Sequence, residues 1–217
     1  ALAVVEHYLP RGAGDQLPSS DAGAVVALAE RLELLLSIFA KGERPSGSSD
    51  PYALRRAGNG LLQIVWDRGW RLDLSCFLGS AVEDWTALFP EFVIDSSALH
   101  QDLCQLLRQR IVSQLEDEGF APDLVQAVSA ESVPTERLLA DPMDVRERLD
   151  LLNALRQSKA LPALMAVVQR AARLAEKGDL VETDLKVSAV VSPERFESPS
   201  ETAMYEVLVQ LEPLASG

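Results

Sequence analysis

Arginines 11, 55 and 56 are of the residue type best suited to hold phosphate oxygens, because a guanidinium offers a planar fork of donors that matches an anion's oxygens. Arg55 and Arg56 follow Asp50 and Pro51, a pair that reads as an N-cap and a first helical position. That places them one turn into a helix, whose free backbone amides already favour an anion. By helical spacing Arg56 shares a face with Asn59 and Gln63, opposite Leu54, Leu61 and Val65. Such a polar strip suits a sugar-phosphate backbone. A plainer reading stands beside it: both arginines pair with carboxylates such as Asp15 or Asp50, as surface charges commonly do.

Arg11 raises the same question inside a polar knot, HYLPRGAGDQLP, that begins at His7. Gly12 and Gly14 permit backbone turns closed to other residues, and Asp15 can bond nearby amides. The knot therefore reads as a latch that carries Arg11 towards the Arg55–Arg56 helix, or as a direct phosphate contact. His7 and His100 are the only histidines, and Cys76 and Cys104 fit no metal or redox spacing and read as two buried, reduced thiols. No catalytic residue and no metal ligand is assigned.

The elements that position these residues are helical. Val25, Leu28, Leu32, Leu35 and Phe39 form an apolar stripe, widened by Val26, Leu34 and Ile38, which predicts a helix buried on most sides. KGERPSGSSDP is a loop, and the helix after it runs through YALRRAGNGLLQIVWDRG to Gly69, with Gly58 on its apolar face where another helix comes close. EDWTALFPEFVIDSS is a weak stretch, followed by a helix from about Ser97 to Glu118 and a short helix in GFAPDLVQAVSAES. Asp141 and Pro142 repeat the Asp-Pro start, LPALMAVVQRAARLAEKG forms a further helix, and Ser198, Pro199 and Glu201 have the spacing of a capping box. LKVSAVV, near Lys186, is either a short strand or helix. The fold class is all-α, an irregular multi-helix bundle.

Leu and Ala dominate a chain of 217 residues that is 47% apolar and 6% aromatic, which favours packed helices over sheets. A net charge of −13 argues against a free-standing nucleic-acid binder and leaves room for a local basic patch on one piece of a larger assembly. No signal peptide and no apolar run long enough to span a bilayer is present, so no membrane association and a cytoplasmic location are expected. The chain begins at Ala1 inside an apolar helical run, LAVVEHYL, and reads as a piece of a longer protein.

Two motifs in order carry a resemblance. His7, Tyr8, Pro10, Arg11, Ala13, Gly14, Asp15, Leu17 and Pro18 are followed by Pro45, Ser46, Gly47, Asp50, Pro51, Tyr52, Ala53, Leu54, Arg55 and Arg56. This pattern closely resembles the β subunit of bacterial-type glycyl-tRNA synthetase. The likeness is strongest before residue 70 and continues through Gly119–Ala130 and SPERFESPSETAMYEVL. The resemblance implies an HD-like helical domain over residues 1–135 and the start of an anticodon-binding-like helical region over 136–217. It implies a tRNA-binding role for Arg11, Arg55, Arg56, Asn59 and Gln63, with His7, Tyr8, Pro10, Gly14, Asp15, Asp50 and Pro51 as the structural motif. It further implies tRNA for glycine as a partner and a separate α subunit, in a heterotetramer, that carries out the ligation with ATP and Mg. The alternative is an HD-type metal-dependent phosphohydrolase remnant or a non-catalytic helical scaffold. Where a hydrolase of that type needs a late aspartate this chain has Ala29-Glu30-Arg31-Leu32-Glu33, whose glutamates also suit a solvated helix face.

Overall fold

The computed structural model describes residues 2–176 and 191–215. Every regular element among them is helical, as the capping and spacing signals predict. The chain divides into two compact units, 1–161 and 162–217, whereas the resemblance implies a boundary at residue 135.

The first unit contains α1 (Leu2–Glu6), α2 (Asp21–Ala40), α3 (Leu54–Asp67), α4 (Leu74–Leu88), α5 (Ser96–Asp117), α6 (Pro122–Ser129), α7 (Thr135–Ala140) and α8 (Pro142–Gln157). α2, α3 and α5 pack on one another, and α4, α7 and α8 close around them. Leu35, Leu61, Leu62, Val65, Leu103, Leu107, Ile111 and Leu115 are fully buried between these helices. Burying one such leucine is worth about 1.5–3 kcal/mol relative to leaving it exposed. Trp66 donates its Nε1–H to the Pro142 carbonyl at 3.0 Å, and Leu138, Leu139, Val145 and Leu149 enter the same core. α7 and α8 are thereby built into the first unit.

Several boundaries fall as expected. Asp141 caps α8 by accepting from the Met143 and Asp144 amides, with Pro142 at the first helical position. Gly69 ends α3 at φ +62°, and the Trp70 amide reaches back to the Val65 carbonyl. Gly58 is buried against α5: a methyl placed on it would stand 3.0 Å from Arg110 Cγ and 3.5 Å from Leu107 Cδ2.

Other expectations are corrected. α3 begins at Leu54, so Pro51 lies in the preceding turn; Ala53, at φ 55°, is the cap residue. Asp50 still serves the helix from a turn away, its carboxylate accepting from the Leu54 and Arg55 amides at 2.7 and 3.0 Å. Val25 and Val26 are exposed, because the buried face of α2 is set by Ala24, Ala27, Leu28, Arg31 and Leu35 instead. Cys76 is exposed and only Cys104 is buried, both as free thiols. The stretch read as weak begins in the last turns of α4, runs through the loop of residues 89–95 and enters α5; α4 itself starts earlier, and its Leu74, Leu78, Val82 and Trp85 line one buried stripe.

The second unit holds most of α9 (Leu161–Ala175), a 3-10 turn at Pro193–Arg195 and α10 (Pro199–Ala215). Glu201 reaches back to the Ser198 and Glu197 amides at 3.0 and 2.6 Å, the carboxylate half of the expected capping box. Phe196 meets Tyr205 edge-on at 5.8 Å. LKVSAVV, except for its last residue, lies outside the described residues.

Candidate functional site

The knot is built around a buried charge that its own motif does not contain. Arg31, 5% exposed on α2, donates to the carbonyls of His7 (3.1 Å), Tyr8 (3.3 Å), Pro10 (2.8 Å) and Ala27 (2.7 Å). Three of these carbonyls tie residues 7–10, a stretch that contains the cis Leu9–Pro10 bond, to the helix. α3 leaves room for this arrangement with Gly60, where a methyl would stand 2.5 Å from Arg31 Nε. Burial lowers the Arg31 pKa, and neighbouring Glu30 opposes that shift.

A second buried charge secures the other end of the knot. Glu6 accepts from the backbone amides and hydroxyls of Ser19 and Ser20, and Ser20 in turn caps α2 through the Gly23 amide. Those hydroxyls, aided by the two amides and opposed by desolvation, hold the Glu6 pKa down at about 2. Gly23 is required here, because a methyl on it would collide with the Glu6 carboxylate.

Within the knot Arg11 is held by Asp15. Its Nε and Nη2 donate to the two carboxylate oxygens at 2.8 and 3.1 Å, and its backbone amide donates to Oδ2 at 2.8 Å. Gly14, at φ +73°, permits the bend that brings the two together. The Arg11 side chain is 73% exposed. His7 turns back on its own helix: its Nδ1 bonds the Val4 carbonyl at 2.6 Å, and its ring lies 3.9 Å from that of the exposed Tyr8.

The residues predicted on α3 do meet. A cleft of about 450 Å³ is lined by Arg55, Arg56, Asn59 and Gln63 on one side, by Pro10, Gly12 and Ala13 of the knot, and by Gln114, Asp117 and Glu118 of the α5 end. A second hollow of about 410 Å³ shares Gln63 and Glu118 and adds Gly14, Asp15 and Arg146. Arg11 does not line the first cleft, although its neighbours Gly12 and Pro10 do. Asp50 lies in the cleft wall but is engaged by the α3 amides, and Glu118 is engaged by Arg146 at 2.7 Å.

Neither Arg55 nor Arg56 forms an ion pair within 4 Å among the described residues. Between residues 2 and 161 there are thirteen arginines; nine hold carboxylates, and Arg108 is bound to the Ser129, Ala130 and Val133 carbonyls. The remaining three are Arg55, Arg56 and Arg110. Pairing of Arg55 and Arg56 with Asp15 or Asp50 is not what the structure shows. Asn59 adds a buried Oδ1 with no hydrogen-bond partner, while its backbone carbonyl receives the Gln114 side chain at 3.2 Å. The cleft thus presents the Arg55 and Arg56 guanidiniums and the Asn59 and Gln63 side chains together with the carboxylates of Asp50, Asp117 and Glu118.

Sequence reasoning missed Arg31 and Glu6, and a signal for Arg31 existed. It sits between Ala27 and Leu35 on the buried face of α2, where an arginine must find partners. Glu30 and Glu33 face outward, Glu33 accepting from the Ser37 hydroxyl, and among the described residues no group of three His, Cys, Asp or Glu side chains is placed to hold a metal ion.

The described elements are all helical, and the cleft lies beside the helix whose first amides bond Asp50. The family described as glycyl-tRNA synthetase beta subunit matches residues 1–130. Proteins named glycine–tRNA ligase beta subunit are similar over nearly the whole chain: 41% identical over 215 residues in Picosynechococcus sp., 43% over 215 in Acaryochloris marina, and 36% over 220 in Ectopseudomonas mendocina. These matches cover 98%, 98% and 100% of this chain, which spans about 30% of each relative's length. The chain belongs to the glycyl-tRNA synthetase β-subunit family.

Proposed function

We propose that this chain is a tRNA-holding part of a glycine–tRNA ligase β subunit, and that its cleft seats the sugar-phosphate backbone of tRNA for glycine. The ligation itself, with ATP and Mg, belongs in this reading to a separate α subunit that completes a heterotetramer in the cytoplasm. This segment contributes position and no chemistry of its own.

One observation carries the reading. In an acidic chain most of whose first-unit arginines are engaged, Arg55 and Arg56 form no ion pair within 4 Å among the described residues and share a cleft wall with Asn59 and Gln63. Guanidinium groups next to polar amides satisfy phosphate and ribose oxygens, which position a nucleic acid without reading its bases. The Asp50–amide bonds and the Arg31 clamp fix the two cleft walls before any ligand arrives, which lowers the ordering cost of binding.

The test is equilibrium binding of tRNA for glycine to the full-length β subunit with its α partner, comparing the parent with Arg55→Gln/Arg56→Gln. Each desolvated, charged hydrogen bond lost costs about 1.5–3 kcal/mol, so the double substitution weakens binding by at least about ten-fold. Unchanged affinity would remove tRNA from this cleft.

A further inference from the structure

Residues 72–107 contain no lysine or arginine, and they carry six carboxylates. Three of these are engaged: Asp73 and Asp95 cap α4 and α5, and Asp102 pairs with Arg44 at 2.6 Å. The other three, Glu83, Asp84 and Glu91, are exposed and form no ion pair within 4 Å among the described residues. Asp84 stands one helical turn before Leu88, and Glu91 falls in the loop between Phe89 and Phe92. Residues 87–93 are exposed without a break, and four of them are large and apolar. Leu88 is 73% and Val93 fully exposed, and Phe89 and Phe92 are 39% and 41% exposed. The two phenylalanine rings rest on buried Trp85, at 4.8 and 5.5 Å between centroids, and the Phe92 amide donates to the Phe89 carbonyl at 3.1 Å. This apolar knob is thus built in advance, which lowers the ordering cost of binding.

A continuous exposed apolar surface rimmed by charge marks a protein-interaction site. The unpaired carboxylates select the partner: lysine or arginine beside its apolar residues speeds approach and fixes register, whereas RNA is repelled. The place agrees with this. The knob lies at the N-terminal end of α5 and the arginine cleft at its C-terminal end, about 30 Å apart along a 22-residue helix, so both can be occupied together. Resting on the two-subunit reading above, we infer that the knob at Leu88–Val93 docks the separate α subunit, through a segment that presents apolar side chains flanked by lysine or arginine.

The test measures association of the full-length β subunit with the α subunit over a range of salt. Leu88→Ser/Val93→Ser removes exposed apolar area and leaves the core intact. It is expected to weaken association by about ten-fold or more. Glu83→Lys/Asp84→Lys/Glu91→Lys is expected to weaken association at low salt and to reverse its trend with salt, since the parent's affinity falls as salt rises. Thermal unfolding of each variant β subunit is expected to match the parent. Unchanged association for both variants would overturn the inference, and weaker tRNA binding by Arg55→Gln/Arg56→Gln would then leave the cleft reading standing. Unchanged tRNA binding by Arg55→Gln/Arg56→Gln, with association lost in the knob variants, would remove the cleft reading and support the knob. A salt trend left intact by charge reversal would overturn the basic partner. Melting temperatures that fall while association holds would overturn the inference and assign the knob to contacts within the β subunit.

Discussion

Glu6 and Arg31 have side chains of opposite charge that the knot encloses in different ways, and each gives a distinct measurable signature. Glu6 is held well below its ordinary pKa of 4.5 by the Ser19 and Ser20 hydroxyls. A carboxyl whose folded pKa is depressed stabilises the fold above its unfolded pKa, and that contribution fades as pH falls through the folded value. The stability gap between the parent and Glu6→Gln is therefore complete above pH 4.5 and closes between 4.5 and about 2, as denaturant midpoints across that range will show. A gap that persists unchanged near pH 2 contradicts this account. Arg31 gives a pH-independent effect. Arg31→Met strips the donor from four carbonyls, and with carbonyls left unmade in a buried site the loss is on the order of 3 kcal/mol. Thermal unfolding of the variant measures it.

At the scale of elements, the same Asp-Pro pair produces two outcomes. At Asp141-Pro142 the proline sits in the first helical position and the aspartate caps it, as spacing predicts. At Asp50-Pro51 the chain makes an extra turn, the Ala53 amide donating to the Asp50 carbonyl at 3.1 Å, before α3 begins at Leu54. The local residues are alike; what differs is that α3 is drawn into register by burying Leu54, Leu61, Leu62 and Val65, which tertiary packing decides and local spacing does not. α4 is hard to read from sequence for a related reason. Its stripe of Leu74, Leu78, Val82 and Trp85 is interrupted by serine, cysteine and glycine, so the periodicity is weak until the neighbouring helices bury it. By contrast, α5 and the capped start of α8 are legible because apolar spacing and cap agree. Packing also sets the cost of change. Leu107, fully buried between α3 and α5, loses about 2–5 kcal/mol on conversion to alanine. Gly60→Ala is disruptive for a different reason: its methyl meets Arg31 Nε. The variant's melting temperature falls, and falls less when Arg31→Met is already present, which makes the pair non-additive.

For the whole molecule, a net charge of −13 is compatible with the proposed seating of RNA in the cleft because the arginines are partitioned. In the first unit most are engaged by carboxylates of the same chain, whereas Arg55 and Arg56 line the cleft without an ion pair within 4 Å among the described residues. The acidic remainder repels phosphate over about a Debye length, roughly 8 Å at physiological salt. Orientation on the ligand therefore depends on the local cluster and not on the average field. The family was legible from the His7–Pro18 and Pro45–Arg56 motifs, but the packing of Arg110 against α3 was not. Arg110 has no partner in those motifs, and it becomes visible only when α5 is laid across Gly58.

The most direct measurement is the salt dependence of tRNA-for-glycine binding by the full-length β subunit with its α partner, comparing the parent with Arg55→Gln/Arg56→Gln. Removing both guanidinium groups from the RNA backbone lowers the log–log slope by about two, alongside weaker binding at every salt concentration. An unchanged slope and affinity would contradict the central claim that these arginines hold RNA backbone oxygens.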